Sequence, residues 1–324
     1  MLKIALLADI EYELRPNALH GPAAFAHELA ASLFQSAGET GGISVDLVAR
    51  KHSISEVPLI SIDAGNLGGK HEDPLDRYAF QDAIYMQLVL SGALDDYALV
   101  HCLAPVVSPL VLLSAKGIPV VQTILTNEAH PSAVLPPQLL GRGARQVQVG
   151  PYMLDETKAV IPPSVDLYQF YPEAAPADDL LLWMGKENEE EIARSIAGSL
   201  GLAFMAFNET DAVAQLKDAR LLLHTHAGDT PCDAVWLARA LACGTPFAAW
   251  ADKQLQSFFT RPELGAFAER NNIDQLFENI RDLPARNTGA GPRREYALAF
   301  FGRRGAAARY REVYKNLLSR NEQG

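Results

Sequence analysis

Few side chains in this sequence could carry chemistry, and their spacing limits what each could do. His224 and His226 stand two apart at the end of an apolar run. On a strand that spacing puts both rings on one face. There they could join Asp229 as metal ligands, or line a cleft as partly buried polar residues. Thr230-Pro231-Cys232-Asp233 has the chemistry of a helix start. Thr230 can cap, Pro231 suits the first helical position and Asp233 can close a capping box. A helix N-terminus offers backbone amides to phosphate, but Asp233 and the nearby Asp229 oppose an anion, so a plain structural cap is the alternative. His20-Gly21-Pro22 is either a close-approach point for a ligand or a simple helix-entry turn. His101 ends the run ALVHC as a core-edge histidine or a base, and His27 reads as structural. Cys102 lacks an evident histidine partner in the sequence and reads as a buried thiol rather than a nucleophile. The acids of ENEEE, residues 187–191, suit the solvated first turn of a helix. The basic cluster over 293–311 reads as a solvated helix face, with an anionic acceptor or membrane surface as the other reading. No Ser-His-Asp order, Walker loop or G-x-G-x-x-G occurs in the sequence.

The elements that must position these groups alternate between short apolar runs and helical stretches. Strands are expected at 2–8, 43–49, 57–62, 98–102 and 118–124. Helices are expected from Pro22 to a stop at Gly38, and at 75–90 and 109–115. The stretch DAGNLGGKHEDP is loop by composition. A Pro-rich segment, VIPPSVDLYQFYPEAAPADD, then interrupts the pattern. Beyond it, strands are expected at 180–184, 202–207, 220–225 and 246–250, helices at 189–200, 211–217 and 231–243, and a helical tail over 303–318. Alternation of this kind means right-handed βαβ units and parallel sheets. The expected fold is α/β, with two Rossmann-like domains facing across a cleft. The expected domains are 1–165 and 166–324, the second ending in a closing C-terminal helix. Ligands in such sheets bind beyond the carboxyl ends of the strands.

Composition narrows the function classes. The chain has 324 residues and a net charge of −11, which argues against nonspecific nucleic-acid binding. Its length suits about two domains and two cores without disulfide or metal staples. Three cysteines, Cys102, Cys232 and Cys243, form a sparse, odd set that fits a reducing cytoplasm. The apolar start meets acid at Asp9 and is too short for a membrane span.

Several segments, in chain order, resemble family-four glycosyltransferases of the GT-B fold. Residues 160–172, VIPPSVDLYQFYP, resemble that family's V-I-P-N-G-V-D-x-x-x-F-x-P linker. Residues 219–247 resemble the donor-site strand, loop and helix ending in E-A-M-A-x-G-x-P-V. LLWMGK, ending at Lys186, resembles the strand that ends in V-G-R. Residues 97–123 resemble the D-V-V-H … G-I-P-V-V-x-T unit, and RYREVYKNLL resembles the closing helix. The resemblance implies retaining transfer of a sugar from a nucleotide-sugar donor to a saccharide, lipid-linked or small-molecule acceptor, without metal or other cofactor. The donor would sit on the second domain, at Gly185, Lys186, Thr230, Cys232, Asp233, Ala234 and Arg239, with Gly21 reaching it from the first. The acceptor side would include His20 and His101. An alternative is a catalytically silent relative that binds a sugar, a nucleotide or a protein partner.

The departures from the family pattern are specific. Lys186 replaces the arginine after V-G, keeping the charge without the bidentate fork. The family lysine five residues on falls at Glu191, where a carboxylate repels a diphosphate. The paired donor-site glutamates fall on Pro231 and Arg239, and the histidine of T-x-H falls on Leu125. A V-G-x-G loop after residues 202–207 is missing, as if about 30 residues, one βαβ unit, had been deleted. Arg239 could reach back toward the helix N-terminus and replace the lost charge, or could pair with nearby acids as a structural residue.

Overall fold

The computed structural model describes residues 2–18, 21–40, 42–65, 74–125, 144–148, 159–172, 179–185, 187–225, 233–251, 253–283 and 289–321. The chain divides into two compact units. The first combines Met1–Pro163 with Arg303–Gly324, and the second is Ser164–Gly302. In chain order the first unit contains β1 (Leu2–Leu7), α1 (Gly21–Thr40), β2 (Ile43–Arg50), β3 (Leu59–Ile62), α2 (Pro74–Leu90), β4 (Leu99–Cys102), α3 (Ser108–Ala115), β5 (Val120–Ile124), β6 (Ala144–Gln148) and β7 (Ala159–Val160). The second contains β8 (Leu180–Met184), α4 (Glu190–Leu200), β9 (Ala203–Ala206), α5 (Ala212–Asp218), β10 (Leu221–His224), α6 (Ala234–Ala242), β11 (Phe247–Trp250), α7 (Lys253–Phe258), β12 (Gly265–Ala268), α8 (Ile273–Asp282) and α9 (Ala290–Phe301). The last helix, α10 (Arg303–Asn321), returns to the first unit. Its contacts group it with the first unit, whereas the sequence reading attached it to the second.

Each unit is built on a wholly parallel sheet. The first has the order β3-β2-β1-β4-β5-β6-β7 and the second β12-β11-β10-β8-β9. Strands covered on both faces must be apolar throughout. β4 (LVHC), β8 (LLLWM) and β10 (LLLH) accordingly run buried from end to end. The first core includes Leu7, Val48, Tyr85, Val100 and Leu110. The second includes Leu181, Trp183, Ile196, Leu223 and Leu276.

The expected elements lie within a few residues of those found, and the differences have causes. α1 runs past Gly38 to Thr40, and the left-handed turn falls at Gly42, φ 88°. β6 escapes an apolar-pattern search because glutamines point inward. Gln146 Nε2 donates to Gln122 Oε1 at 3.1 Å, and Gln122 Nε2 donates to the carbonyl of Val106 at 3.2 Å, all buried. Between 251 and 292 the sequence reading set no element, yet α7, β12, α8 and the start of α9 lie there. β12 is the short Gly/Ala-rich GAFA, and α8 opens with Asn272 accepting from Gln275 N at 3.1 Å.

The arginines of 293–311 do not form one solvated face. Arg293 is buried and donates to the carbonyl of Gly244 at 2.9 Å. Arg294 donates to Ala242 O at 2.8 Å, Phe170 O at 2.9 Å and Leu167 O at 3.0 Å. Both cations meet carbonyls at the C-terminal end of α6, where the helix dipole is negative. In the first unit Arg303 Nε meets Glu28 Oε2 at 2.8 Å, with the Glu28 side chain only 1% exposed, tying α10 to α1.

A buried pair is costly to break from one side, because the surviving charge stays desolvated. Glu28→Ala is expected to lower stability by about 3–5 kcal/mol, read from equilibrium urea unfolding. An effect under about 1 kcal/mol, the range of a surface pair, would contradict this role.

Candidate functional site

In each sheet the chain first moves to one side of its starting strand and later to the other. The reversal falls between β1 and β4 in the first unit and between β8 and β10 in the second. A ligand crevice opens beyond the carboxyl ends of the strands at such a point.

In the second unit this point is framed by Trp183, Gly185 and Thr225. Thr225 N donates to Met184 O at 2.8 Å, and Trp183 Nε1 donates to Thr225 Oγ1 at 2.8 Å. The indole lies against Gly185, so a Cβ there would stand 2.6 Å from Trp183 Cε2 and inside contact distance of Thr225 Oγ1. Glycine at 185 is a packing requirement of this crossing. His224 is buried at the end of β10. Its expected partners His226 and Asp229 lie outside the described residues, as do Lys186, Thr230, Pro231 and Cys232. Among the described residues no group of three or more His, Cys, Asp or Glu side chains could hold a metal.

α6 carries the remaining second-unit candidates. Asp233 precedes it, 5% exposed, and Ala234 opens it, fully buried. Arg239 is 0% exposed, its guanidinium carbon 4.4 Å from the Trp236 ring centroid and 4.8 Å from that of Phe170. The cation is thus sandwiched against aromatic faces, an attractive arrangement when desolvated. Phe170 is itself fixed on a turn where Asp166 Oδ1 accepts from Tyr168 N at 2.9 Å and Gln169 N at 3.2 Å. Glu191 is exposed on the first turn of α4, beside the Glu190–Arg194 pair at 2.5 Å.

In the first unit Gly21 opens α1 and is buried, while His20 lies outside the described residues. His101, expected on the acceptor side, is instead a core residue. Its Nδ1 is 2.7 Å from Tyr314 Oη and its Nε2 2.7 Å from Thr123 Oγ1. Both nitrogens are taken, so the ring anchors α10 to β4 and β5. Burial lowers its pKa from 6.5 to about 3, so it stays neutral. Leu125 is buried where the family pattern has histidine. Cys102 is buried too, and burial pushes its thiol up to about 12, which removes the nucleophilic thiolate.

The sequence reading missed the polar groups at the β1–β4 point. Asp9 and Glu11 follow β1, and Arg77, Gln81 and Tyr85 descend α2 in steps of four. Arg77 Nη1 meets Glu11 Oε1 at 2.5 Å, Asp9 Oδ1 accepts from Glu11 N at 2.8 Å, and Gln81 Oε1 accepts from Ile10 N at 3.3 Å. Tyr85 donates its hydroxyl proton to Ala8 O. The Arg77-x-x-x-Gln81-x-x-x-Tyr85 stripe was the available signal, since steps of four share one helix face.

This architecture is the GT-B fold, and solved structures of that fold superpose on the whole chain. Sucrose-phosphate synthase from Thermosynechococcus elongatus superposes with a TM-score of 0.68 at 16% identity, covering 98% of this chain and 100% of that one. AviGT4, a glycosyltransferase involved in avilamycin A biosynthesis, gives 0.63 at 18% identity, covering 98% of both chains. HepE from Anabaena, in complex with UDP-glucose, gives 0.62 at 12% identity, covering 98% and 100%. No protein-family model matches the sequence, and no curated protein matches it by sequence. No helix among the described residues is long and apolar enough to cross a membrane.

Two outcomes follow from this geometry. Gly185→Ala should displace the Trp183 indole and destabilise the chain by about 1–3 kcal/mol, the range for overpacking. Chemical denaturation and the tryptophan emission spectrum would show it, and wild-type values for both would refute the crossing. The His101 ring should show no titration between pH 5 and 8 in NMR spectra. The unfolded chain takes that proton below about 6.5, whereas the folded chain resists it down to about 3. This histidine therefore subtracts stability as pH falls through that window, by up to about 1.4 kcal/mol per pH unit. His101→Gln should flatten that part of the pH–stability curve.

Proposed function

We propose that the chain is a glycosyltransferase that moves a sugar from a nucleotide-sugar donor to a hydroxyl acceptor with retention of configuration. The observation that carries this reading is the end-to-end match of the whole chain to structures of this fold, one of them holding UDP-glucose. The donor is assigned to the β8–β10 crevice of the second unit. There the backbone at Gly185, the Lys186 cation and the amides of Cys232 and Ala234 would receive the diphosphate, with Thr230 and Asp233 shaping the helix entry. Gly21 is assigned to the donor and His20 to the acceptor side. In the transfer, the bond from C1 to the donor phosphate oxygen breaks and a bond from C1 to the acceptor oxygen forms on the same face. The acceptor proton goes to the departing phosphate. Protein cations, rather than a metal, stabilise that leaving group. The cytoplasm is the assigned compartment, on the sparse cysteines.

One observation favours a second reading, a catalytically silent relative. The position where the resemblance puts a ribose-binding glutamate is Arg239, an inaccessible cation sandwiched by Phe170 and Trp236. Arginine accepts no hydrogen bond, so this ribose contact is absent in either case. Glu191 also supplies repulsion in place of attraction.

Calorimetric titration with UDP, GDP, ADP and their sugars separates the readings. A glycosyltransferase binds one nucleotide sugar saturably and transfers its label to an acceptor. Binding of none of them would overturn the donor assignment. Glu191→Lys should tighten diphosphate binding by about tenfold or more, the worth of one charge-assisted contact. Arg239→Ala should lower the melting temperature by about 5 °C or more and leave nucleotide affinity in the folded fraction unchanged. The reverse pattern would make Arg239 a donor ligand.

A further inference from the structure

A helix on the surface of a domain normally turns apolar residues inward and charged ones outward. α8 in the second unit does this. Leu276 and Ile280 are buried, and Asp274, Glu278, Arg281 and Asp282 are exposed. In the first unit α2 does not. Its inward face, Gln81, Tyr85 and Val89, is buried. Its outward face carries Asp76 and then Ala79, Phe80, Ala83, Gln87 and Leu90, all exposed and, past Asp76, all uncharged. α3 (SPLVLLSA) buries Pro109, Leu110 and Leu113 and exposes Ser108, Val111 and Ala115, again without charge. The two helices lie side by side and run the same way. Asp82 of α2 accepts from Val107 N at 2.8 Å and Ser108 N at 3.0 Å at the start of α3, and Lys116, just past its end, donates to Val89 O at 3.4 Å. Leu75, Phe80, Leu90 and Val111 are four of the twelve large apolar side chains exposed among the described residues, so apolar exposure is concentrated on this layer. An apolar patch of this kind marks a contact surface.

We propose that α2 and α3 form the face through which two copies of this chain associate, about a two-fold axis that crosses α2 near Ala83. The occupant follows from charge. In a two-fold interface each patch meets the same patch on its partner, so a charge near the axis faces its own like. A chain of net charge −11 therefore needs a neutral face to meet itself. The outward residues from Ala79 to Leu90 supply one, about 16 Å of helix at 1.5 Å per residue. The charges around it are already taken. Glu11 holds Arg77, Asp95 holds Lys116, and the α3 amides hold Asp82. An anionic membrane would need those cations free. Asp76 fixes the orientation. With the two α2 helices antiparallel and crossing at Ala83, the Asp76 side chains stand about 20 Å apart along the helix, well beyond the screening length of about 8 Å. A parallel pair would set them side by side. Ala79 and Ala83 let the helix axes approach to about 8–10 Å, with Phe80 and Leu90 packing on either side. The patch is about 25 Å long, from the 17 residues of α2, and about 20 Å wide across two helices. Two copies would bury on the order of 1,000 Å², the least that a specific interface needs, so the dimer is reversible and concentration-dependent. This proposal stands apart from the assigned activity.

Sedimentation equilibrium of the full chain tests it. The average mass should rise from one copy toward two as concentration increases. Added salt should favour the dimer, because it screens the repulsion between two acidic chains. Ala83→Glu and Ala83→Lys should each weaken association about a hundredfold or more, the effect of like charges placed face to face. Mixed, the two variants should recover a heterodimer, since residue 83 meets its own mate. Ala83 is exposed, so both variants should keep the wild-type melting temperature. If either is destabilised, Leu90→Glu is read in its place, with the same loss expected. Met205→Glu, exposed on the second unit, should leave the dimer intact. A chain that stays monomeric at every concentration, or a dimer that survives Ala83→Glu and Leu90→Glu, would overturn the proposal. So would a dimer that salt dissociates, or binding to phosphatidylserine vesicles that these variants abolish.

Discussion

A parallel sheet cannot change direction without leaving a gap. Right-handed crossovers place successive helices on one face while the chain moves one way, and on the other face after it turns back. At the turning point the helices part, and the carboxyl ends of two neighbouring strands face an opening. This constraint sets where the two openings fall. It puts Asp9 beyond β1 in the first sheet, and Gly185 with Thr225 beyond β8 and β10 in the second. The apolar strands hold these positions still, and the residues just past their ends are free to differ in kind.

Those residues do differ. In the second unit the opening is narrowed by an indole laid against a glycine and pinned by a threonine hydroxyl. In the first it is lined with carboxylates, an amide and a guanidinium. The strand order locates both openings, and the residues just past the strand ends set their different characters.

Much of this was legible in the residues. The apolar run LKIALL read as a strand covered on both faces, LLLWM and LLLH read as strands, and the Pro-rich segment marked the passage between units. What stayed hidden was polar and inward-facing. Gln122 and Gln146 satisfy one another inside the first sheet, so β6 lacked the apolar signature. Arg293 and Arg294 looked like surface charge because their partners, the carbonyls near the end of α6, are distant in sequence. His101 looked like a site residue because no local pattern shows that Tyr314 and Thr123 take both its nitrogens. Arg239 likewise depends on Phe170, far back in the linker. Pattern reading sees neighbours along the chain, and these assignments are made across it.

The return of α10 to the first unit has a consequence for how the molecule comes into being. Residues 164–302 form a continuous unit, while the first unit is split around it. A chain emerging from the ribosome can therefore complete the second sheet while the first still lacks the helix that supplies Tyr314 to His101 and Arg303 to Glu28. Until that helix arrives, a buried-type histidine and a buried-type glutamate stand without their counterparts. The unit begun first is finished last, and a nascent chain halted before Arg303 would hold a formed second sheet beside an unclosed first one.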